Sequence, residues 1–277
     1  MKKRNVFLQL LAALMAAVML MALSACGGTA SSSVASSETE LSSESASEPD
    51  GVVAPSGDLL TKLTDAKAAN ADTAGWMKIP NTTIDSAVMQ AKDNEYYLDK
   101  NEVKKTDVYG SLFADYECKF GDRNALSKNT VIYGHSMSDK KPAGRRFEPL
   151  VNYTNLSFVT NNPYIHFSTT SDDMVWKVFA VFYTETKFNY IDPNFKKTDF
   201  MTTVNEAKKR SLFIYDVDVN ATDKILTLST CTYKYGGNTN KDQRFVVMAR
   251  LVRAGEDISQ TTANVTTNPS PKQPSFK

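Results

Sequence analysis

Two segments in the last quarter of the chain carry residues able to do covalent chemistry. Thr227-Leu228-Ser229-Thr230-Cys231-Thr232-Tyr233 ends an apolar run on a cysteine, and Arg244 opens the next apolar run. Far upstream, Tyr133-Gly134-His135-Ser136-Met137 places a histidine at the end of another such run. A thiol, an imidazole and a guanidinium are the groups needed to attack a peptide carbonyl, move a proton and stabilise the resulting oxyanion. A thiol near its reference pKa of about 8.5 is mostly protonated at neutral pH, so a neighbouring imidazole or cation would raise its thiolate fraction. Arginine stays charged in any surroundings, and its fork of donors suits an oxygen gaining negative charge. Each residue alone also has an ordinary reading. A lone cysteine at a strand end is most often a small buried hydrophobe.

The elements that must position these groups are mostly strands. Apolar, β-prone runs occur at 76–79, 84–89, 111–113, 130–133, 164–167, 176–183, 225–230 and 245–252, many of them separated by turns containing Asn, Asp, Gly or Pro. Leu59, Leu60, Leu63, Ala66 and Lys67 have helical spacing and predict an amphipathic opening helix. Short helices fit 94–98 and 147–151, and a longer one fits 199–210, a run without Gly or Pro. Eight strands with attached helices predict a mainly β (α+β) fold, a β-barrel rather than an alternating βαβ fold. An antiparallel return across residues 232–243 would put Cys231 and Arg244 at the same end of the sheet. Nothing in the sequence places His135 beside them.

Composition narrows the functional classes. The chain has 277 residues, 42% hydrophobic and 23% charged, with a net charge of +1. Near neutrality, and without a basic cluster interleaved with aromatics, nucleic acid is not an expected partner. Three cysteines far apart (Cys26, Cys118, Cys231), two histidines and no HExxH give no basis for a metal site. Lys2, Lys3 and Arg4 precede an apolar run from Val6 to Ala25 that ends Leu23-Ser24-Ala25-Cys26-Gly27. Residues 1–26 read as an export signal whose end resembles the lipobox of bacterial lipoproteins, a resemblance that implies Cys26 as the lipidation site. The other reading is an uncleaved membrane anchor, since about 20 apolar residues span a bilayer. Either places the remaining chain at the extracytoplasmic face of the membrane, held by lipid or helix. Residues 27–57 are rich in Ser, Glu and Ala and read as a disordered stalk. Residues 58–254 form the expected folded domain, and the Thr-, Asn- and Pro-rich residues 255–277 read as a disordered tail. Nothing suggests more than a monomer. His166 reads as a strand residue, Trp76 and Trp176 as core, Asp242 as a solvated turn carboxylate and Cys118 as a loop thiol.

These segments resemble the sortase family, the cysteine transpeptidases of Gram-positive cell envelopes. Thr227-Leu228-Ser229-Thr230-Cys231 matches its TLxTC signature, Arg244 its arginine on the following strand, and Thr130-Val131-Ile132-Tyr133-Gly134-His135 the strand ending in its histidine. Trp76-Met77-Lys78-Ile79-Pro80-Asn81-Thr82-Thr83-Ile84-Asp85, Asn94-Glu95-Tyr96-Tyr97-Leu98 and Gly110-Ser111-Leu112-Phe113 are similar to class B. The resemblance implies an eight-stranded sortase barrel with peripheral helices. It implies catalysis by His135, Cys231 and Arg244, with Ser229, Thr230, Thr232 and Tyr233 near the substrate, and no cofactor. Cys231 would cleave a C-terminal sorting motif of an exported protein after its threonine. The thioacyl enzyme would then pass the protein to an amine of a peptidoglycan precursor or a pilin. Two departures stand out. Sortases are usually held by an uncleaved helix, whereas Cys26 sits in a lipobox-like context. The connection between Cys231 and Arg244 also holds a flexible run, Gly236-Gly237-Asn238-Thr239-Asn240. Alternative readings are an extracytoplasmic cysteine peptidase and a non-enzymatic binding lipoprotein. The papain order, with cysteine first and histidine downstream, is reversed here. A binding module need not retain all three reactive groups.

Overall fold

A computed structural model describes residues 51–276. Residues 1–50, on which the expected export signal, Cys26 and most of the expected stalk fall, lie outside the described residues. Among the described residues no helix is long and apolar enough to cross a membrane.

The chain enters through helix α1 (Gly57–Ala69), which lies on the surface of a barrel and buries only Leu63 completely. Strands β1 (Thr73–Lys78), β2 (Asp85–Met89), β3 (Leu112–Ala114) and β4 (Asn129–Tyr133) follow. Two short helical segments come next, a 3-10 stretch at Glu148–Thr154 and α2 (Leu156–Asn161), then strands β5 (Tyr164–Ser168) and β6 (Val175–Glu185). Helix α3 (Phe200–Arg210), β7 (Phe213–Tyr215), β8 (Ile225–Cys231), β9 (Gln243–Leu251) and β10 (Val265–Thr267) complete the order. Eight strands close a barrel in the order β1-β2-β3-β4-β8-β9-β6-β5, with β5 pairing back onto β1. Pairing is antiparallel except for β2 with β3 and β4 with β8. Closure leaves no barrel edge unpaired.

Every strand expected from the sequence is present. The periods that mark them bury apolar side chains such as Met77, Val88, Ile132, Phe167, Trp176, Leu228 and Val247. α3 begins where Asp199 accepts a hydrogen bond from Thr202 N at 2.8 Å. It ends on Lys208, Lys209 and Arg210, charges that suit the negative end of its dipole. Its Phe200, Thr203, Val204 and Ala207, spaced three and four apart, pack toward β6.

Four expectations need correction. Residues 51–56, expected in the stalk, lie against the domain: Val53 N donates to Asp172 Oδ1 at 3.1 Å, and Asp173 N donates to Val53 O at 2.6 Å. Residues 255–276 are ordered rather than disordered. β10 pairs antiparallel with β7 in a separate two-stranded sheet, and neither strand stands out in the sequence because each is only three residues long. Backbone pairing needs no apolar composition, which is why the Thr- and Asn-rich segment joins a sheet. α2 is likewise an addition to the expected helices; its cap is Asn155, whose side chain accepts from Phe158 N. Trp176 is core, but Trp76 is only half-buried on the barrel's outer face. There its Nε1 donates to Asp85 Oδ1 at 2.6 Å and Lys62 sits 5.5 Å from its ring centre.

Candidate active site

Strand register assembles the reactive groups. β4 and β8 run parallel with Thr130 opposite Leu226 and Tyr133 opposite Ser229. Two residues further along both chains, the same offset sets His135 against Cys231. A bond from Thr230 Oγ1 to Gly134 O at 2.7 Å carries the pairing past the strand ends. β8 and β9 run antiparallel with Cys231 opposite Arg244. Three neighbouring strands thus deliver a thiol, an imidazole and a guanidinium to one rim of the barrel. Gly134 is needed beside the histidine: a Cβ there would come within 2.5 Å of Leu112 Cδ2 and 2.8 Å of Phe147 Cδ2.

All three groups line a cleft of about 270 Å³. Its wall adds Asn94 and Leu98 from before β3, Thr186, Tyr190 and Ile191 from the segment after β6, and Ser229 and Thr230 from β8. Clefts of about 420 and 630 Å³ exist elsewhere on the surface, and neither is lined by a thiol or an imidazole. Chemistry, not volume, singles out the smaller one.

His135 Nε2 lies 2.8 Å from Leu98 O. A carbonyl only accepts, so Nε2 carries the proton of the neutral ring and Nδ1 is left as the atom that exchanges one. Arg244 directs Nη1 to Lys241 O at 2.7 Å and Gln243 O at 2.9 Å. Its Nε and Nη2 make no hydrogen bond among the described residues and remain for an incoming oxygen. Tyr190 shares a 2.8 Å hydrogen bond with Ser229 Oγ, and burial pushes its hydroxyl up to about 12, so it stays neutral. Tyr133, beneath the cleft, donates to Asp115 Oδ2 at 2.9 Å; burial and the Asp115 charge hold its hydroxyl far above the usual range.

Ser229 and Thr230 are on the cleft wall, and both hydroxyls have protein partners. Thr232 and Tyr233 are not on it. Asp139 Oδ2 accepts from Thr232 Oγ1 at 2.9 Å and from Tyr233 N at 2.7 Å. Tyr233 OH donates to Ser136 O at 3.0 Å. These bonds stitch the chain after Cys231 to the chain after His135. Asp139 and Tyr190 do not stand out in the sequence because each becomes significant only through a contact distant along the chain. Asp242 is solvent-exposed, and its Oδ1 accepts from Thr186 Oγ1. His166 is half-buried on β5, outside the cleft, and burial lowers its pKa. Cys118 and Cys231 are both free thiols. Cys118 is buried behind β4, accepts from Val131 N at 3.4 Å, and is pushed up to about 12 by burial. Among the described residues no three His, Cys, Asp or Glu side chains gather closely enough to hold a metal ion.

Comparison with known proteins bears on the family and the fold. A family model described as a sortase domain matches residues 77–252. Sortase B of Listeria monocytogenes is 35% identical over 200 residues, covering 71% of this chain and 76% of that protein. A Staphylococcus aureus sortase B–substrate complex superposes with a TM-score of 0.60 at 29% identity, covering 70% of this chain and 86% of that one. A structure of sortase B complexed with triglycine superposes with a TM-score of 0.59 at 30% identity, covering 69% and 85% of the two chains. With its closed barrel and matched domain, the chain belongs to the sortase family, class B, and is a cysteine transpeptidase.

Proposed function

We propose that Cys231 is the nucleophile, His135 the proton carrier and Arg244 the oxyanion partner in cleavage of a threonine-containing sorting motif. The single observation behind this assignment is the shared register of β4, β8 and β9, which sets the three side chains at one rim. Cys231 passes its thiol proton to His135 Nδ1, and the resulting thiolate attacks the carbonyl carbon of the motif's threonine. The carbonyl π pair moves onto oxygen, where the free Nε and Nη2 donors of Arg244 receive it. As the C–N bond breaks, the imidazolium gives its Nδ1 proton to the leaving amine. A thioester to Cys231 and a free C-terminal remnant result. An acceptor amine then attacks the thioester, His135 takes its proton, and the Cys231 thiolate leaves with a new amide formed. The apolar wall of Leu98, Tyr190 and Ile191 suits an extended peptide and limits water at the thioester.

The substrate complex of the S. aureus relative supports a peptide in this cleft, and the triglycine complex supports a small primary amine as acceptor. In the cell the acceptor would be a peptidoglycan precursor or a pilin. The basic start, apolar run and Cys26 support an enzyme tethered at the extracytoplasmic face of the membrane, by a lipid on Cys26 or by an uncleaved helix.

The test is mass spectrometry of residues 51–277 incubated with NPxTx and LPxTG peptides and triglycine. Cleavage after threonine with ligation to the amine is expected, abolished in Cys231→Ala. In Arg244→Lys, kcat should fall about 10- to 100-fold, because a single ammonium cannot replace the fork of donors. Turnover by Cys231→Ala, or full activity of Arg244→Lys, would refute the assignment.

A further inference from the structure

The sortase-domain match stops at residue 252, yet the chain beyond it returns to the catalytic rim. Past β10, Asn268 N donates to Leu212 O at 3.0 Å and its Nδ2 to Ser211 O at 2.7 Å. Lys272 N donates to Lys209 O at 2.9 Å, and its ammonium pairs with Glu206. Ser275 N then donates to Glu185 Oε2 at 3.3 Å. Gln273 Oε1 accepts from Tyr235 OH at 2.9 Å, and the Phe276 ring packs 5.4 Å from the Tyr235 ring.

Tyr235 belongs to the connection between Cys231 and Arg244. Its N–H donates to Gln243 Oε1 at 2.7 Å. Gln243, 1% exposed, gives its Nε2 to Gly237 O at 2.7 Å and Asn240 O at 3.0 Å. Its own carbonyl takes Arg244 Nη1. The Tyr235 ring also packs on Tyr183, which packs on Phe245 next to Arg244. Asp139 and Ser136 hold the start of the connection and Thr186 holds Asp242 at its end, so residues 236–241 between them rely on bonds within the turn and on Gln243 and Tyr235. Gly236 and Gly237 hold φ of +84° and +60°, and residues 236–242 bury no apolar side chain. An exposed Gly- and Asn-rich turn loses much entropy on being fixed, so outside contacts decide how much of the time it holds one shape.

We propose that residues 268–276 are a strap that orders the Cys231–Arg244 connection and so presets the Arg244 guanidinium. Gln273 and Phe276 are positioning residues that act through Tyr235. The strap extends the reading of Arg244 given above and rests on it for its effect on rate, but its effect on the loop is independent of that reading. Because Arg244 serves the transition state, losing the strap lowers kcat more than it raises KM.

The test compares the intact chain with Gln273→Ala/Phe276→Ala and with Phe276→Tyr, which keeps the ring. Two readouts are taken: amide hydrogen exchange across 232–243, and steady-state transpeptidation. Loss of one aromatic pair and one exposed hydrogen bond should speed exchange, and lower kcat, by about fivefold to thirtyfold. KM should stay within about twofold, and Phe276→Tyr should behave as the parent. Unchanged exchange in the double variant overturns the strap. Faster exchange with kcat unchanged or raised overturns its role in catalysis. An inactive parent would refute the site assignment alone, and the exchange comparison would still decide the strap.

Discussion

Asp139→Ala offers a sharp test of how the rim is held together. One carboxylate oxygen accepts both Thr232 Oγ1 and Tyr233 N, at 2.9 and 2.7 Å. Hydrogen bonds to a charged group contribute roughly 1.5–3 kcal/mol each, and the half-buried position of Asp139 puts these at the low end. Removal leaves the Thr232 hydroxyl, 2% exposed, without its acceptor, while the Tyr233 side retains its bond to Ser136 O. The net cost should be about 2–3 kcal/mol of folding stability, or roughly 5–10 °C in Tm for a domain of this size. Asp139 does not line the cleft, so KM should move by less than about twofold. It does fix the segment that follows His135, so kcat should fall by about tenfold or more at 25 °C, where the variant remains folded. Asp139→Asn retains an acceptor and should recover most of both losses. The assay pairs thermal unfolding with steady-state ligation, repeated on Thr232→Val and the double variant. Parent-like Tm and kcat in Asp139→Ala would refute the reasoning. So would strictly additive effects of Asp139→Ala and Thr232→Val, since a shared bond requires coupling.

Two further outcomes are expected. Glu256 is held down to about 2, first by its hydrogen bonds to Arg250, against a raising contribution from burial, and then by the Arg253 backbone N–H and the charges of Arg250 and Lys177. A carboxylate with a depressed folded pKa stabilises fully above its unfolded value of about 4.3 and loses that contribution as pH falls toward 2. Denaturant titrations should therefore show Glu256→Gln less stable than the parent at pH 7, with the gap closing below pH 4; a gap constant down to pH 2 would contradict the pairing. The buried Cys118 thiol, raised to about 12, should resist alkylation at pH 8 while Cys231 reacts. Residues 51–277 should take up one equivalent of iodoacetamide, and Cys231→Ala none; rapid labelling of that variant would refute the burial argument.

The strands were legible because a barrel buries one face of each, and that demand writes a short-range apolar pattern into the sequence. The pairing of Cys231 with Arg244 was legible for a related reason: β8 and β9 are neighbours joined by one connection, so an antiparallel return fixes which ends meet. Beyond that, the sequence signature could nominate His135 only by likeness to known enzymes. Its placement depends on parallel pairing of β4 with β8, whose partners lie 96 residues apart, as in Tyr133 with Ser229. No local pattern encodes a register over that distance. Trp76 and Trp176 look alike in composition, and only barrel closure decides that one faces Asp85 and the other the core. The Thr- and Asn-rich tail looked unable to order itself because composition reports apolar burial, whereas β10 is held by backbone bonds to β7 and its continuation by contacts with Tyr235 and Glu185. The chain by itself determined which groups could react and which segments would be strands. The tertiary structure alone decided which of those groups meet, because meeting is set by long-range register and by backbone hydrogen bonds that side-chain identity barely constrains.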